Sequence, residues 1–203
     1  GTLKLFSGKN LNSIRQFIFG GEAYPKEKLI NLYKVYKRSA ELFNVYGPTE
    51  CTCICSAYKL SDKDFLNLEG IPSLGWINDN IDYLILDENN KKVKIGEMGE
   101  LCLLGPHVGQ GYFNDKRNTS KNFVINPLNK KFNQTMYKTG DLVKENQLNK
   151  KISFKGRKDN QIKHMGYRIE TEEIEYALNS LSYITLSSVF HINVDGISKI
   201  HAV

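Results

Sequence analysis

Two short clusters in the first 50 residues carry groups that could handle a ligand: Gly20-Gly21-Glu22 and Gly47-Pro48-Thr49-Glu50. Their glycines allow close backbone approach, and Thr49 and Glu50 add a hydroxyl and a carboxylate. Two tight turns, with Thr49 merely capping a following turn, would use the same residues. The choice between the two depends on where the chain puts the clusters.

Gln16-Phe17-Ile18-Phe19 is a short apolar run that stops at the first cluster, as a buried strand entering a loop does. Pro25 suits the first turn of a helix in which Leu29, Leu32, Tyr33 and Tyr36 recur at helical spacing. Leu42-Phe43-Asn44-Val45-Tyr46 is a second strand, ending at the second cluster. A helical crossover makes the two strands parallel, and ligands of open parallel sheets bind beyond the strands' carboxyl ends. Both clusters therefore belong side by side at a ligand-binding edge.

From about residue 72 to 156 the pattern changes to short β segments separated by turns. Ile81, Tyr83 and Ile85 alternate toward Asp87-Glu88-Asn89-Asn90, and Glu100 to Leu104 precede Gly105-Pro106. Lys138 to Asp141 and Ile152 to Gly156 repeat the pattern, which predicts a twisted β-subdomain. Gly156-Arg157-Lys158-Asp159-Asn160 is a polar, turn-rich place for a hinge. Beyond it, 161–164 is strand-like, and Ile174, Ala177, Leu178 and Leu181 make one helix face. The last stretch reads as strand, turn at Asp195-Gly196, and strand. The chain stops inside that strand, which predicts that the native polypeptide continues.

With 203 residues, 40% hydrophobic and 25% charged, the composition is that of a folded globular chain. An enzyme that needs several hundred residues could be present only as a fragment. No apolar run reaches the roughly 18 residues of a membrane span, and Gly1-Thr2-Leu3-Lys4 lacks the apolar core of a secretory signal, so a cytoplasmic location is expected. The net charge of +6 alternates along the chain and comes from scattered lysines, without an arginine cluster or a basic-aromatic repeat. Nucleic-acid binding is not expected. Cys51, Cys53 and Cys55 alternate, so on a strand they would share a face. Neither a disulfide framework nor a zinc spacing is present, which leaves buried, reduced thiols as the expectation.

Four collinear segments resemble the adenylate-forming (AMP-binding) superfamily. The likeness is closest to amino-acid adenylation domains of nonribosomal peptide synthetases and to D-alanine:carrier-protein ligases. Asn44-Val45-Tyr46-Gly47-Pro48-Thr49-Glu50 resembles that family's NxYGPTE segment, preceded by a Gly-Gly-Glu-Ala loop at 20–23. Gly99-Glu100-Leu101 through Gly111-Tyr112, with Thr119, Phe123 and Pro127, resembles its GEL…GY…T…F motif. Tyr137-Lys138-Thr139-Gly140-Asp141-Leu142 resembles YxTGDL. Residues 156–163 with Gly166-Tyr167-Arg168-Ile169-Glu170 resemble GRxDxQxK..GxRIE. Each motif alone is weak, whereas four in order over 20–170 are specific. Asn44 and Gln161 favour amino-acid activators over acyl-CoA synthetases.

The resemblance implies an α/β fold that becomes mostly β. Residues 1–158 would be the end of a large adenylation domain, a βαβ unit plus the β-subdomain; after a hinge, 159–203 would begin a small α+β C-terminal domain. It implies attack of a substrate carboxylate on the α-phosphate of ATP, release of pyrophosphate, and passage of the acyl adenylate to a carrier-protein or coenzyme A thiol. Tyr46 would stack on adenine with Gly21, Glu22, Asn44 and Gly47 around the nucleotide. Thr49 would hydrogen-bond the α-phosphate, and Glu50 would hold Mg²⁺. Asp141 would take the ribose hydroxyls, and Arg157 would add a cationic fork near the ribose or phosphate; a buried aromatic, an Asx turn and a solvated arginine are their plainer uses. Asp159 would be the hinge, while Lys163 and Gly166 would enter the site for the second step, with a surface lysine and a turn glycine as the competing readings. The acyl group would meet Ile18, Gly20, Val45, Cys53 and Ile54, a small apolar lining. The family's phosphate loop and C-terminal lysine are not in these residues. An acyl- or aryl-CoA ligase and a non-catalytic truncated module are the alternatives.

Overall fold

β1 (Gln16–Phe19), α1 (Lys26–Tyr36) and β2 (Glu41–Tyr46) form the expected crossover in the computed structural model, which describes residues 13–164, 167–194 and 197–203. β1 and β2 are parallel, with Phe17 opposite Leu42 and Phe19 opposite Asn44. Pro25 is the N-cap of α1, and the four residues picked out by spacing, Leu29, Leu32, Tyr33 and Tyr36, are the buried ones. They pack on Phe17 and Leu42. Burial of each such side chain contributes about 1.5–3 kcal/mol, which holds α1 against the sheet more firmly than helix propensity could.

After β2 the chain makes a 3-10 turn, Thr49–Cys51, and returns as β3 (Ser56–Lys59), antiparallel to β2. The cysteines therefore do not lie on a strand. Thr52 and Cys53 adopt left-handed backbone (φ 57° and 75°), which breaks the alternation, so Cys51 and Cys55 are buried while Cys53 is exposed.

The β-subdomain comprises β4 (Asp82–Leu86), β5 (Met98–Leu104), α2 (Lys116–Asn122), β6 (Phe123–Ile125), β7 (Thr135–Glu145) and β8 (Ile152–Arg157). Its sheet runs β4-β5-β7-β6, antiparallel throughout, and β8 also pairs with β7. β5 is covered on both faces, with Leu101 and Leu103 in one core and Cys102 and Leu104 in another. That explains its continuous apolar run.

Two compact units result, Gly1–Gly156 and Arg157–Val203. The second contains the hairpin β9 (Ile162–His164) and β10 (Tyr167–Ile169), α3 (Thr171–Asn179), and the hairpin β11 (Val189–Val194) and β12 (Ile197–Ala202). The Glu175 side chain accepts from Val189 N at 2.7 Å, and Asn179 Oδ1 accepts from Ser187 N at 2.7 Å, which ties α3 to β11. The expected apolar face of α3 is only partly formed. Ile174 and Leu178 are half-buried, Ala177 is exposed, and Leu181 lies past the helix end. Gly166 and the Asp195-Gly196 turn lie outside the described residues. Among the described residues no helix is long and apolar enough to cross a membrane.

Candidate active site

The strands that lead into the two glycine clusters meet at their ends, as the parallel register requires. A Cβ on Gly20 would come within 2.5 Å of Val45 Cγ2, so the ends of β1 and β2 touch. Beyond β2, Gly47 is fixed by a close approach: an added Cβ would lie 1.6 Å from the Cys53 carbonyl oxygen. Cys55 N also donates to Tyr46 O at 2.7 Å, so the 51–55 loop folds tightly over Gly47. Thr52 Oγ1 donates to His107 O at 2.8 Å and fastens the loop from its other side. Thr49 is exposed at the start of the 3-10 turn.

Asp141 reaches this edge by a device that spacing did not reveal. Between β5 and β7 the register shifts, so that 139–141 stand opposite the single residue Leu101. This bulge turns the strand, and its parts are satisfied one by one. The buried Thr139 hydroxyl donates to Leu101 O at 2.7 Å and accepts from Asp141 N at 3.0 Å. Gly140 takes the left-handed conformation (φ 72°), and its N–H donates to Glu100 Oε1 at 3.1 Å. Lys138 Nζ lies 3.5 Å from the other oxygen of the buried Glu100 carboxylate.

The bulge carries Asp141 to Tyr46, whose hydroxyl donates to Asp141 Oδ2 at 2.5 Å. Burial of the phenol, reinforced by the Asp141 charge, pushes the Tyr46 pKa well above its ordinary value. Tyr46 therefore stays protonated and serves as a donor. Glu50 is held nearby through its own partners. Its carbonyl accepts from Gly109 N at 2.8 Å, and Oε1 accepts from the Tyr112 hydroxyl at 2.6 Å.

Not every expected residue faces a ligand. Asn44 Nδ2 donates to Ser73 O at 2.8 Å, and Ser73 Oγ donates to Ile152 O at 2.8 Å, which is a structural clamp between β2 and β8. Gly21 (φ 89°) and Glu22 are exposed in the loop after β1. By register, Ile18 and Val45 lie on the sheet face opposite α1, where Ile18 is 60% exposed. Cys53 and Ile54 are also exposed, in the loop that follows Gly47.

In the second unit, Arg157 and Asp159 are brought together as a two-point pair, Nε to Oδ1 at 2.8 Å and Nη2 to Oδ2 at 2.7 Å. Asp159 Oδ1 also accepts from Gln161 N at 3.3 Å. The Gln161 side chain donates to Glu170. Lys163 is on β9, with its side chain outside the described residues, as is Gly166.

The sequence reading missed Thr139 and Glu100 as builders of the bulge, and Tyr112 as a partner of Glu50. All three lie inside motifs already singled out, so position in a motif was the one available signal.

Cysteine environments give a direct check on the 51–55 loop. Burial pushes the Cys51 thiol up to about 12 and the Cys55 thiol to about 11. Cys102 is buried too. A thiol reagent such as DTNB applied to native protein is expected to modify Cys53 ahead of the other three, with all four reacting in urea. Equal native reactivity of Cys51 and Cys53 would contradict the loop.

A family model described as "AMP-binding enzyme" covers residues 2–113. Tyrocidine synthase 3 of Brevibacillus parabrevis is 37% identical over 167 residues, 82% of this chain and 2% of that protein. A D-alanine--D-alanyl carrier protein ligase of Bacillus velezensis is 34% identical over 196 residues, 94% of this chain and 36% of that protein. Among solved structures, holo-PA1221, an NRPS protein containing adenylation and PCP domains, superposes with a TM-score of 0.81 at 26% identity. The superposition covers 93% of this chain and 32% of that one. The chain thus spans little more than a third of the length of these relatives at most.

Proposed function

The chain belongs to the AMP-binding enzyme family, and from that premise we propose that it is a section of a ligase that activates an amino acid with ATP and passes the aminoacyl adenylate to a phosphopantetheinyl carrier-protein thiol. The observation that supports this most is the meeting of Tyr46 and Asp141 beyond the end of a parallel strand. An aromatic ring and an ionised acceptor at one place suit a nucleoside, whose base has a π-face and whose ribose has paired hydroxyls.

In this reading Tyr46 packs on adenine, with Gly21, Glu22 and Gly47 around the nucleotide. Asp141 accepts from the ribose and shares its carboxylate with the Tyr46 hydroxyl, which holds it in place beforehand. Thr49 offers a hydroxyl to the α-phosphate. Charge building on phosphoryl oxygens is the main demand of the first step, so fixed donors and positioning are the chain's contribution.

Mg²⁺ would be held by Glu50. No group of three or more candidate ligands exists among the described residues. A single hard carboxylate fits the way Mg²⁺ binds together with nucleotide phosphates, most of its shell being water and phosphate oxygen. When bound, the ion would neutralise phosphate charge.

Asp159 would be the hinge between residues 1–158 and 159–203, with support from the division of the chain into two compact units close by, after Gly156. Its pairing with Arg157 means that the arginine must exchange partners to serve the ribose or phosphate. Lys163 and Gly166 would act in thiol transfer. Ile18, Gly20, Val45, Cys53 and Ile54 would line part of the acyl pocket. A reaction fuelled by ATP and serving a carrier thiol is placed in the cytoplasm.

Asp141→Asn in the full-length protein tests the nucleotide assignment. Loss of a charged acceptor is expected to raise the KM for ATP about 10–100-fold, with the KM for the amino acid nearly unchanged. Pyrophosphate exchange measures both, and an unaltered KM for ATP would refute the assignment.

A further inference from the structure

We propose that Tyr112 is a positioning residue for the metal-binding carboxylate, acting through its hydroxyl on Glu50; this rests on the proposed role of Glu50 toward Mg²⁺. Glu50 sits in a three-residue 3-10 turn, and a glutamate has three side-chain torsions to settle. The Tyr112 hydroxyl removes that freedom by donating to Oε1 at 2.6 Å across 62 residues of sequence.

Tyr112 is itself held at both ends. Its N–H donates to Thr119 Oγ1, in α2, at 2.8 Å. Its ring meets Phe123 edge-on, with centroids 5.4 Å apart at 80°, and Phe123 in turn packs on the ring of Tyr137 at 5.0 Å. The Tyr112 and Tyr137 hydroxyls lie 3.4 Å apart, and Tyr137 is almost fully buried. Tyr137 is on β7, four residues before Asp141, so the strand that delivers the ribose acceptor also supports the residue that sets Glu50. The neighbouring Gly109 N holds the Glu50 backbone carbonyl at 2.8 Å. Side chain and main chain of Glu50 are thus both fixed by the 109–112 segment.

The arrangement matters because Mg²⁺ tolerates little departure from octahedral geometry. A carboxylate that rotates freely must be ordered when the ion arrives, whereas one already bonded at a single oxygen is set in advance. Hydrogen bonds of this kind around metal ligands typically change metal affinity by about 10–100-fold. Tyr112→Phe removes the hydroxyl and keeps the ring packing, so it isolates the effect.

The test uses the full-length protein with a non-hydrolysable ATP analogue and Mn²⁺, whose binding is followed by electron paramagnetic resonance. Tyr112→Phe is expected to weaken Mn²⁺ binding about 10-fold and to raise the Mg²⁺ concentration for half-maximal exchange similarly, with the KM for the amino acid unchanged. Glu50→Gln is expected to weaken Mn²⁺ at least as much. In the Glu50→Gln background, Tyr112→Phe should add nothing, because it acts only through that carboxylate. Unchanged Mn²⁺ binding in Tyr112→Phe, beside a weakened Glu50→Gln, would overturn the proposal while leaving Glu50 as a ligand. Additive losses would overturn it as well, since they mark a general packing role. Mn²⁺ binding unaffected by Glu50→Gln would instead remove the metal assignment on which it rests.

Discussion

Gly47→Ala in the full-length protein is expected to lower pyrophosphate exchange by about 100-fold, the scale of loss that follows misplacement of reacting groups by about 1 Å. The new methyl would stand 1.6 Å from the Cys53 carbonyl oxygen, 2.6 Å from its carbon and 2.7 Å from Cys55 N. All three are backbone atoms, so no side chain can turn aside. The loop cannot simply retreat, because Thr52 and Cys53 are already left-handed, Cys55 N is bonded to Tyr46 O, and Thr52 is fastened to His107 O. Relief has to come from Tyr46 or from Thr49 and Glu50, the residues proposed for the nucleotide and its Mg²⁺. Overpacking of this kind also costs about 1–3 kcal/mol of stability. Thermal unfolding alongside exchange checks both effects, and a normally stable, active Gly47→Ala protein would show that the loop is not seated on Gly47.

Asp159→Pro is expected to separate the two half-reactions. Proline fixes φ near −65° and removes a backbone donor, which restricts a hinge without touching Tyr46, Thr49 or Asp141. Exchange should stay within about threefold, whereas transfer to the carrier thiol should fall about 100-fold, equivalent to about 2.7 kcal/mol in the barrier. The substitution also deletes the carboxylate that grips Arg157. Asp159→Ala deletes it too but leaves the backbone free, so a hinge predicts a much smaller transfer defect for alanine. Equal transfer defects in the two variants would assign the effect to the lost Arg157 pair. No defect in either would argue against a hinge here.

The βαβ unit was legible from sequence because its signals are local. Leu29, Leu32, Tyr33 and Tyr36 repeat at helical spacing, and they are the buried face of α1. The parallel pairing of β1 and β2 followed from topology alone. Alternation at Cys51, Cys53 and Cys55 misled because it ignores backbone handedness, and two left-handed residues undo a period of two. Gly140 inside the strand marked a turn of the backbone before Asp141, but the bulge at 139–141 is a mismatch between two strands, whose extent neither strand displays alone. Asn44 belonged to a recognised motif, yet its amide is committed to Ser73 O, a partner that only the folded chain supplies. Tyr112 with Glu50, and Tyr46 with Asp141, are pairings across 62 and 95 residues, beyond any local pattern.

Amino-acid-dependent exchange of labelled pyrophosphate into ATP, measured on the full-length protein and on residues 1–203 alone, tests adenylation most directly. The expected result is exchange by the full-length protein above its no-substrate background with at least one amino acid, lowered by Asp141→Asn at limiting ATP, and none by residues 1–203, which span about a third of the length of an adenylating relative. Full-length protein silent with every amino acid, but forming a thioester from another carboxylic acid and coenzyme A, would contradict amino-acid activation. Robust exchange by residues 1–203 would contradict the reading of the chain as one section of the catalytic unit.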